Sequence, residues 1–162
     1  MGHILWVEPV FKEMIWGGNQ LKEKYGYAIP SDQTGECWAP SAHPNGDNTI
    51  KEGEFKGQTL SKVFDDHREL FGNIKDKQFP LLVKIIDACN DLSVQVHPND
   101  EYAALHENSL GKTECWYVLD CKEDTKMVMG HHAKTKEELV KAIENDDYDH
   151  LLNKFDIKKG DF

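Results

Sequence analysis

Polar and apolar side chains alternate along residues 92–98 in a pattern that could build half of a metal site. Successive side chains of an extended strand point to opposite faces, so Ser93, Gln95 and His97 share one face. The other face is apolar and carries Leu92, Val94 and Val96. An imidazole and an amide oxygen on one face are candidate ligands for a divalent ion.

Lys112 and Glu114 have the same alternate spacing a few residues further on. Trp116 and Val118 follow on the face of Glu114, so its carboxylate enters an otherwise apolar strand, where burial without a cation is costly. Brought beside His97 on a neighbouring strand, this carboxylate would suit Zn²⁺ or a related ion, with an open position for substrate. The plainer alternatives are an ordinary hydrogen-bonded histidine and a simple Lys112–Glu114 ion pair.

Two further features could take part in the site. Lys84 interrupts the apolar run 79–86, where its charge must either reach solvent or meet an anion such as phosphate. His131 and His132 are adjacent, so at most one of them could face the site from a strand. We expect both to lie in a turn or on the surface.

The hydrophobic periodicity predicts the elements that position these residues. Turn-prone residues break up the first 58 positions, which favours short strands and structured loops there. Thr135 with Glu138 has the capping-box pattern, and Asn99 or Asp100 can cap a short helix. The predicted strands are 79–86, 92–97, 114–119 and 126–129, and the predicted helices are 59–72, 99–107, 135–143 and 148–155.

Length, composition and charge limit the class of protein. At 162 residues and 39% hydrophobic content the chain can bury one core, so a single domain over 1–162 is expected. The formal charge of −10 disfavours nucleic acid and anionic membranes as partners. The start of the chain lacks the pattern of a signal peptide, and we expect a soluble cytoplasmic protein. The four cysteines form no Cys-x-x-Cys pair and are expected to be free buried thiols.

The last residues, 155–162, have the pattern of a turn followed by a strand that has just begun. We therefore expect the domain to be truncated at its C-terminus. An unpaired neighbouring strand would then favour self-association through the exposed edge.

Several motifs resemble those of the type I phosphomannose isomerases. The strongest are Leu-Ser-Val-Gln-Val-His-Pro-Asn-Asp at 92–100 and Gly-Lys-Thr-Glu at 111–114. Others extend the resemblance over nearly the whole chain, at 16–18, 35–38, 41–46, 57–60 and 79–84. The resemblance, strongest to the shorter bacterial members, implies a mainly β fold, a cupin-type antiparallel β-barrel or jelly roll with helical insertions. It also implies zinc-dependent interconversion of mannose 6-phosphate and fructose 6-phosphate through a cis-enediol.

The resemblance also implies roles for individual residues. Gln95, His97 and Glu114 match zinc-site residues of the family, in agreement with the ligands suggested by spacing. The remaining family ligand is a histidine in a strand that starts like Gly-Asp-Phe at 160–162, so both it and an active-site arginine are expected beyond this chain. The fragment is therefore expected to bind metal weakly and to be inactive.

Three other residues match functional positions of the family. Lys112 matches a lysine proposed to act on the substrate, as the base or as a stabilising cation. Lys84 and Ser93 match positions near the sugar or its phosphate.

Two other functions fit some of these observations. A non-catalytic cupin module could bind a sugar phosphate or a partner chain and complete its sheet by strand addition. A metal-dependent cupin oxygenase usually has a His-x-His start, whereas Gln95 occupies the first position here, which counts against that class.

Overall fold

The computed structural model of the protein describes residues 4–162, which form two compact units. The first unit ends at Leu92, and the second comprises Ser93–Phe162. The expectation about the start of the chain rests partly on residues 1–3, which lie outside the described range, and the expectation of one domain stays a prediction. Within 4–162, no helix is both long and apolar enough to cross a membrane.

An antiparallel sheet organises the first unit. The strands of this unit are β1 (Val7–Glu8), β2 (Val10–Gly18), β3 (Thr34–His43), β4 (Gly46–Asp47), β5 (Thr49–Ile50) and β6 (Leu82–Ile86). The sheet consists of β2, β3, β4 and β6, whereas β1 and β5 form a separate two-stranded sheet. β2 and β6 flank β3, β4 pairs with the end of β3, and β1 pairs with β5. Trp38 of β3 lies opposite Val10 on one side and Lys84 on the other. The predicted strand 79–86 starts only at Leu82, since Pro80 has no N–H to donate.

Helices of the first unit follow their capping signals. α1 (Gln20–Glu23) is a single turn, and α2 (Leu60–Asp66) begins after Thr59, whose hydroxyl accepts a hydrogen bond from the Lys62 N–H. A short 3₁₀ helix, Arg68–Phe71, continues to Gly72, whose φ of 72° ends it in the left-handed region. The predicted helix 59–72 is confirmed, although it is divided at His67.

Apolar side chains from α2 and the neighbouring loops form the core of the first unit. Leu60 and Val63 of α2 pack with Ile50 and Phe55, all of them buried. A cluster of edge-to-face aromatic rings extends this core and consists of Phe64, Phe71 and Phe79. The helical spacing of these residues in the sequence is therefore explained by burial of one helix face.

Asn48 is a fully buried polar residue that joins three segments of the first unit. Its side-chain oxygen accepts the Ser41 N–H at 2.6 Å, and its amide donates to the carbonyls of Glu8 and Trp38 at 3.0 Å each. A buried amide is stable only when its groups are paired in this way. The sequence analysis did not single out this residue.

The second unit contains three helices and one pair of antiparallel strands. They are α3 (Asp100–His106), β7 (Lys126–His131), α4 (Lys136–Glu144), α5 (Tyr148–Leu151) and β8 (Leu152–Asp156). Asn99 caps α3, and Thr135 caps α4 by accepting the Glu138 N–H, as in the predicted capping box. The Glu138 carboxylate accepts the N–H of Lys134, one residue before the N-cap, instead of that of Thr135. Both predicted helix starts are confirmed.

The prediction of a helix over 148–155 is wrong in its second half. α5 ends at Leu151, and the following residues pair antiparallel with β7 as β8. The spacing of Leu152 and Phe155 fits a helix as well as a strand. Residues 152–156 form a strand because they pair with β7, and sequence periodicity cannot predict that pairing.

The prediction of regular strands at 92–97 and 114–119 is also wrong for this structure, which assigns neither. A strand needs a hydrogen-bonded neighbour along its length. The described backbone hydrogen bonds of 114–119 join Val118 to two residues, with its N–H donating to Asp161 at 2.9 Å and its carbonyl accepting from Gly160 at 2.8 Å. Gly160 has a φ of +94°, so this is a G1 bulge. The predicted turn is present at 159–160, and no strand is assigned after it within 4–162.

All four cysteines are free, as predicted. Cys37 is buried, Cys121 is partly buried, and Cys89 and Cys115 are exposed. The expectation that all four thiols are buried is therefore wrong for Cys89 and Cys115.

Candidate metal and substrate site

His97, Lys112 and Glu114 meet in the second unit. The Lys112 Nζ atom lies 3.1 Å from His97 Nε2 and 3.2 Å from Glu114 Oε2, and these two acceptor atoms are 3.3 Å apart. His97 is mostly buried in its side chain, at 22% exposure, while Glu114 and Lys112 reach solvent. The three residues that the spacing singled out therefore form one compact triangle.

The backbone around Pro98 holds the two halves of this triangle together. Asn99 begins α3, and the Lys112 N–H donates to the Pro98 carbonyl at 3.1 Å. The Gly111 N–H donates to an Asp100 carboxylate oxygen at 2.9 Å. A side chain at Gly111 would meet the Asp100 nitrogen at 2.5 Å, so only glycine allows the close approach that brings Lys112 beside His97.

The contact of Lys112 with His97 involves the lone pair of the imidazole. A lysine ammonium can only donate, so this contact is a hydrogen bond in which His97 Nε2 accepts. Glu114 Oε2 is also an acceptor, and the two would repel at 3.3 Å without a cation between them. Metal coordination requires the same imidazole form, with a free lone pair on the ligating nitrogen.

Glu114 is held as a carboxylate by its neighbours. Burial raises the pKa of the Glu114 carboxyl, but hydrogen bonds from Trp116 and Lys112, together with the nearby charge of Lys112, outweigh it and leave the pKa below its usual value. The Trp116 indole N–H donates to Glu114 Oε1 at 3.1 Å. The indole thereby occupies one carboxylate oxygen and leaves the other facing His97.

Gln95 and Ser93 lie on the same segment but bond to each other. The Gln95 amide donates to the Ser93 hydroxyl at 2.8 Å, and no described hydrogen bond links Gln95 to His97 or Glu114. Among residues 4–162, no group of three or more His, Cys, Asp or Glu side chains is arranged to hold a metal. The structure thus brings together two of the three predicted ligands.

The spacing of these two ligands fits zinc. Bonds of about 2.0 to 2.1 Å in a tetrahedral arrangement place neighbouring ligand atoms about 3.3 Å apart, and His97 Nε2 and Glu114 Oε2 are 3.3 Å apart. An imidazole nitrogen and a carboxylate oxygen are also common zinc ligands. The Lys112 ammonium already bridges both atoms as a cation. The donor set is therefore compatible with a zinc ion.

Lys84 is paired within the first unit. Its Nζ lies 3.1 Å from Glu36 Oε2 and 4.7 Å from the centre of the Trp38 ring. The Trp38 indole donates to the same carboxylate at 2.6 Å, and Glu36 is 8% exposed. Of the two alternatives for this lysine, the structure favours contact with an anion, and that anion is Glu36.

Glu36 and Trp38 were not among the predicted site residues, although the sequence contains a signal for them. The tripeptide Glu-Cys-Trp occurs at 36–38 and again at 114–116. In both copies the tryptophan donates to the glutamate two residues earlier, and a lysine pairs with that glutamate. His131 and His132 are exposed, as predicted.

Comparison with known proteins identifies the family. A family model, "Phosphomannose isomerase type I, catalytic domain", matches residues 4–123. The chain is 58% identical over its whole length to "Probable mannose-6-phosphate isomerase GmuF" of Bacillus subtilis (strain 168), of which it covers 52%. It is 56% identical over 98% of its length to "Mannose-6-phosphate isomerase ManA" of the same organism and covers 50% of that protein.

Solved structures agree with these matches. A crystal structure of mannose 6-phosphate isomerase from Bacillus subtilis superposes with a TM-score of 0.95 at 50% identity and covers 97% of this chain and 50% of that one. A putative mannosephosphate isomerase from Archaeoglobus fulgidus superposes with a TM-score of 0.69 at 28% identity and covers 96% and 52%. The predicted mainly β, cupin-type fold with helical insertions is thereby confirmed.

The chain spans about half the length of the curated relatives that it matches. The likeness nevertheless extends along nearly all of the chain and includes the segments that carry His97, Lys112 and Glu114. The family model covers most of the sequence, and a relative with 58% identity aligns along the whole of this chain. The chain therefore belongs to the type I phosphomannose isomerase family.

Proposed function

We propose that this chain carries one part of a zinc-dependent active site that interconverts mannose 6-phosphate and fructose 6-phosphate. The observation that carries the proposal is the convergence of His97 Nε2 and Glu114 Oε2 at 3.3 Å with Lys112 beside both. Membership of the isomerase family supports the reaction class. The exposure of Lys112 and Glu114 leaves the triangle open to a ligand.

The residues of the chain have separate tasks in this proposal. His97 and Glu114 hold the metal, with the Gln95 amide oxygen as a further ligand. A bound zinc supplies Lewis acidity that stabilises negative charge on substrate oxygens. Lys112 moves the proton that leaves C2 of the aldose and returns at C1 of the ketose, so the sugar passes through a cis-enediol.

The phosphate group requires separate cationic or polar partners. We propose that Ser93 and Lys84 contribute to binding the sugar or its phosphate. The Glu36 carboxylate and the Trp38 ring hold the Lys84 ammonium in place and limit its rotamers. A fixed cation binds a phosphate with less loss of side-chain entropy than a free one.

We expect the 162-residue chain alone to bind zinc weakly and to be inactive. The structure brings together one imidazole and one carboxylate, and the resemblance implies a further histidine ligand that the triangle lacks within 4–162. Zinc sites with catalytic activity usually have three protein ligands. The active form then needs residues equivalent to the other half of the relatives. We propose that this form works in the cytoplasm.

Two measurements test this proposal: zinc content and turnover of mannose 6-phosphate. Both are made on the 162-residue chain and on a chain extended with the second half of the Bacillus subtilis ManA sequence. Stoichiometric zinc and turnover in the extended chain, both lost in its His97→Ala variant, are expected. The matched control is His106→Ala, which removes an exposed imidazole of the same unit and should leave both intact. An extended chain that binds zinc without turnover would contradict the isomerase.

Unpaired backbone segments favour a second candidate, a non-catalytic module that binds a partner by strand addition. Residues 93–97 have no described backbone partner in a ladder, and the edge chain 114–119 is paired only at Val118. Such segments can accept a strand from a partner or from a second copy. We propose self-association of the isolated chain through this edge for either candidate; zinc binding without turnover in the extended chain would favour the non-catalytic module.

A further inference from the structure

Lys112 contacts the two side chains that are proposed to bind the metal. Its Nζ atom is within hydrogen-bond distance of His97 Nε2, at 3.1 Å, and of Glu114 Oε2, at 3.2 Å. No other described cation contacts either of these atoms. The ammonium therefore neutralises the carboxylate and satisfies the imidazole at the same time.

This contact is built into the local backbone. The Lys112 N–H is tied to the Pro98 carbonyl, directly after His97, and Gly111 packs against the backbone of residues 98–100 with no space for a side chain. The lysine and the histidine are thus neighbours by backbone geometry as well as by charge. Side-chain rotation alone can separate Nζ from the two acceptors.

The contact and metal coordination exclude each other at His97. An unprotonated imidazole nitrogen has one lone pair, which either accepts a hydrogen bond or binds a metal. A zinc ion about 2.0 to 2.1 Å from His97 Nε2 would use the lone pair that now accepts from Lys112. The ammonium must therefore leave Nε2 before a metal can bind there.

We propose that Lys112 is an internal competitor for the metal ligands, and that binding of a metal releases its ammonium from His97. The inference rests on the proposed metal site and adds an order of events to it. Lys112 holds His97 and Glu114 together until a divalent ion replaces it. The amine that is proposed to act on the sugar is then released only in a site that has taken up metal.

Zinc affinity of the full chain tests the competition directly, without any measurement of activity. Competition with a chromophoric chelator would give the affinity of the unmodified chain, of Lys112→Met and of Lys122→Met. Hydrogen bonds to charged groups are strong enough that removing the competitor should tighten binding roughly tenfold or more. Lys122 is an exposed lysine of the same unit, and its variant has the same charge as Lys112→Met and should bind like the unmodified chain.

Release of the Lys112 ammonium can be measured separately from zinc affinity. Lysine side chains can be modified by reductive methylation, and the rate at Lys112 can be followed by peptide mass analysis with and without Zn²⁺. We expect zinc to raise the rate at Lys112 several-fold, to leave Lys122 unchanged, and to have no effect at Lys112 in a His97→Ala variant. Slower or unchanged modification of Lys112 with zinc bound would overturn the inference.

The outcomes separate this inference from the proposed function. Measurable and equal zinc affinities in the unmodified chain and in Lys112→Met would refute the competition and leave the metal site standing. If none of these chains binds zinc at millimolar concentration, His97 and Glu114 do not hold a metal by themselves, and the competition is refuted while the metal site of the extended chain is still tested by its own zinc content. Tighter binding in both lysine variants would show a general effect of charge and would also refute the competition.

Discussion

A carboxylate, an imidazole and an ammonium group are in mutual contact in the second unit. The residue types and their alternate spacing predicted that Gln95, His97 and Glu114 would meet, and the structure brings His97 and Glu114 together with Lys112 beside both. Spacing could not predict that Lys112 would contact the imidazole, because that contact depends on how the backbone of 98–100 packs against Gly111. It also could not predict the bond from Gln95 to Ser93.

Replacement of Lys112 tests the proposed proton transfer at the residue scale. In an extended, active chain, Lys112→Ala should lower kcat by about 10²- to 10⁴-fold, because a positioned acid or base contributes that much. Zinc content should not fall. The coupled assay on mannose 6-phosphate measures the change, and exposed Lys122→Ala is the matched control. Undiminished turnover in Lys112→Ala would exclude the lysine as the base.

Alkaline pH should weaken the first unit through Cys37. Burial raises the pKa of the Cys37 thiol, partly offset by its hydrogen bond with Tyr27, and burial also raises the pKa of the Tyr27 hydroxyl. A folded-state pKa above the unfolded value gives stability that is complete below about pH 8.5 and is lost as pH rises through the folded value. Urea unfolding between pH 7 and 10 should show a steeper loss for the natural chain than for Cys37→Ala.

The control for the alkaline effect is Cys115→Ala, which removes an exposed thiol. Its stability should fall with pH as steeply as that of the natural chain. Equal slopes in all three proteins would contradict the role of the buried thiol.

Elements with strong local signals were predicted well, and elements that depend on distant partners were not. The starts of α2, α3 and α4 were found because Thr59, Asn99 and Thr135 cap them through contacts within a few residues. The strands at 92–97 and 114–119 and the identity of β8 depend on which backbone lies alongside. A single sequence shows the alternation of side chains but leaves the neighbouring strand undefined.

Asn48 is expected to be the most sensitive polar position of the first unit. Asn48→Ala removes three hydrogen bonds, two of which, to the Ser41 N–H and the Trp38 carbonyl, are buried. The loss should reach about 3 to 5 kcal/mol of unfolding free energy. Urea denaturation measures it. Exposed Asn45→Ala is the control and should change stability by less than about 0.5 kcal/mol.

Gly111 should be essential for the position of Lys112. An alanine there would bring its Cβ to 2.5 Å from the Asp100 nitrogen and 2.6 Å from the Asn99 carbonyl carbon, both backbone atoms that cannot move cheaply. Gly111→Ala should therefore destabilise the second unit by about 1 to 3 kcal/mol and weaken the Lys112–His97 contact. Hydrogen exchange of the Lys112 amide reports the change.

Leu110→Ala provides the comparison for Gly111, since Leu110 is adjacent and 61% exposed. It should leave exchange at Lys112 nearly unchanged. Equal protection of the amide in the Gly111→Ala variant would contradict the packing argument.

At the scale of the whole molecule, the chain spans half the length of its relatives and exposes apolar side chains in its second unit. The largest exposures belong to Val96 at 94%, Phe162 at 89%, Leu105 at 75%, Leu110 at 61% and Tyr117 at 60%. Apolar side chains on an unpaired segment favour association with another chain. The formal charge of −10 opposes association, so its strength should increase with salt.

A charge at Val96 tests this association. Val96→Lys should shift the sedimentation coefficient of the concentrated chain toward the monomer value, because a lysine on the exposed segment opposes strand pairing. Ile15→Lys is a matched control, since Ile15 is 92% exposed in the first unit and the change in net charge is the same. A monomer at all concentrations, or equal effects of both substitutions, would contradict association through 93–97.

The G1 bulge at Gly160 determines to which face the side chains from Asp161 onward point. In a bulge two residues stand opposite one, here Gly160 and Asp161 opposite Val118, so the alternation of side chains is shifted by one position. Insertion or deletion of a single residue in the turn would move each later side chain to the opposite face. The length of this turn therefore selects which side chains of an extended chain lie on the same face as Glu114.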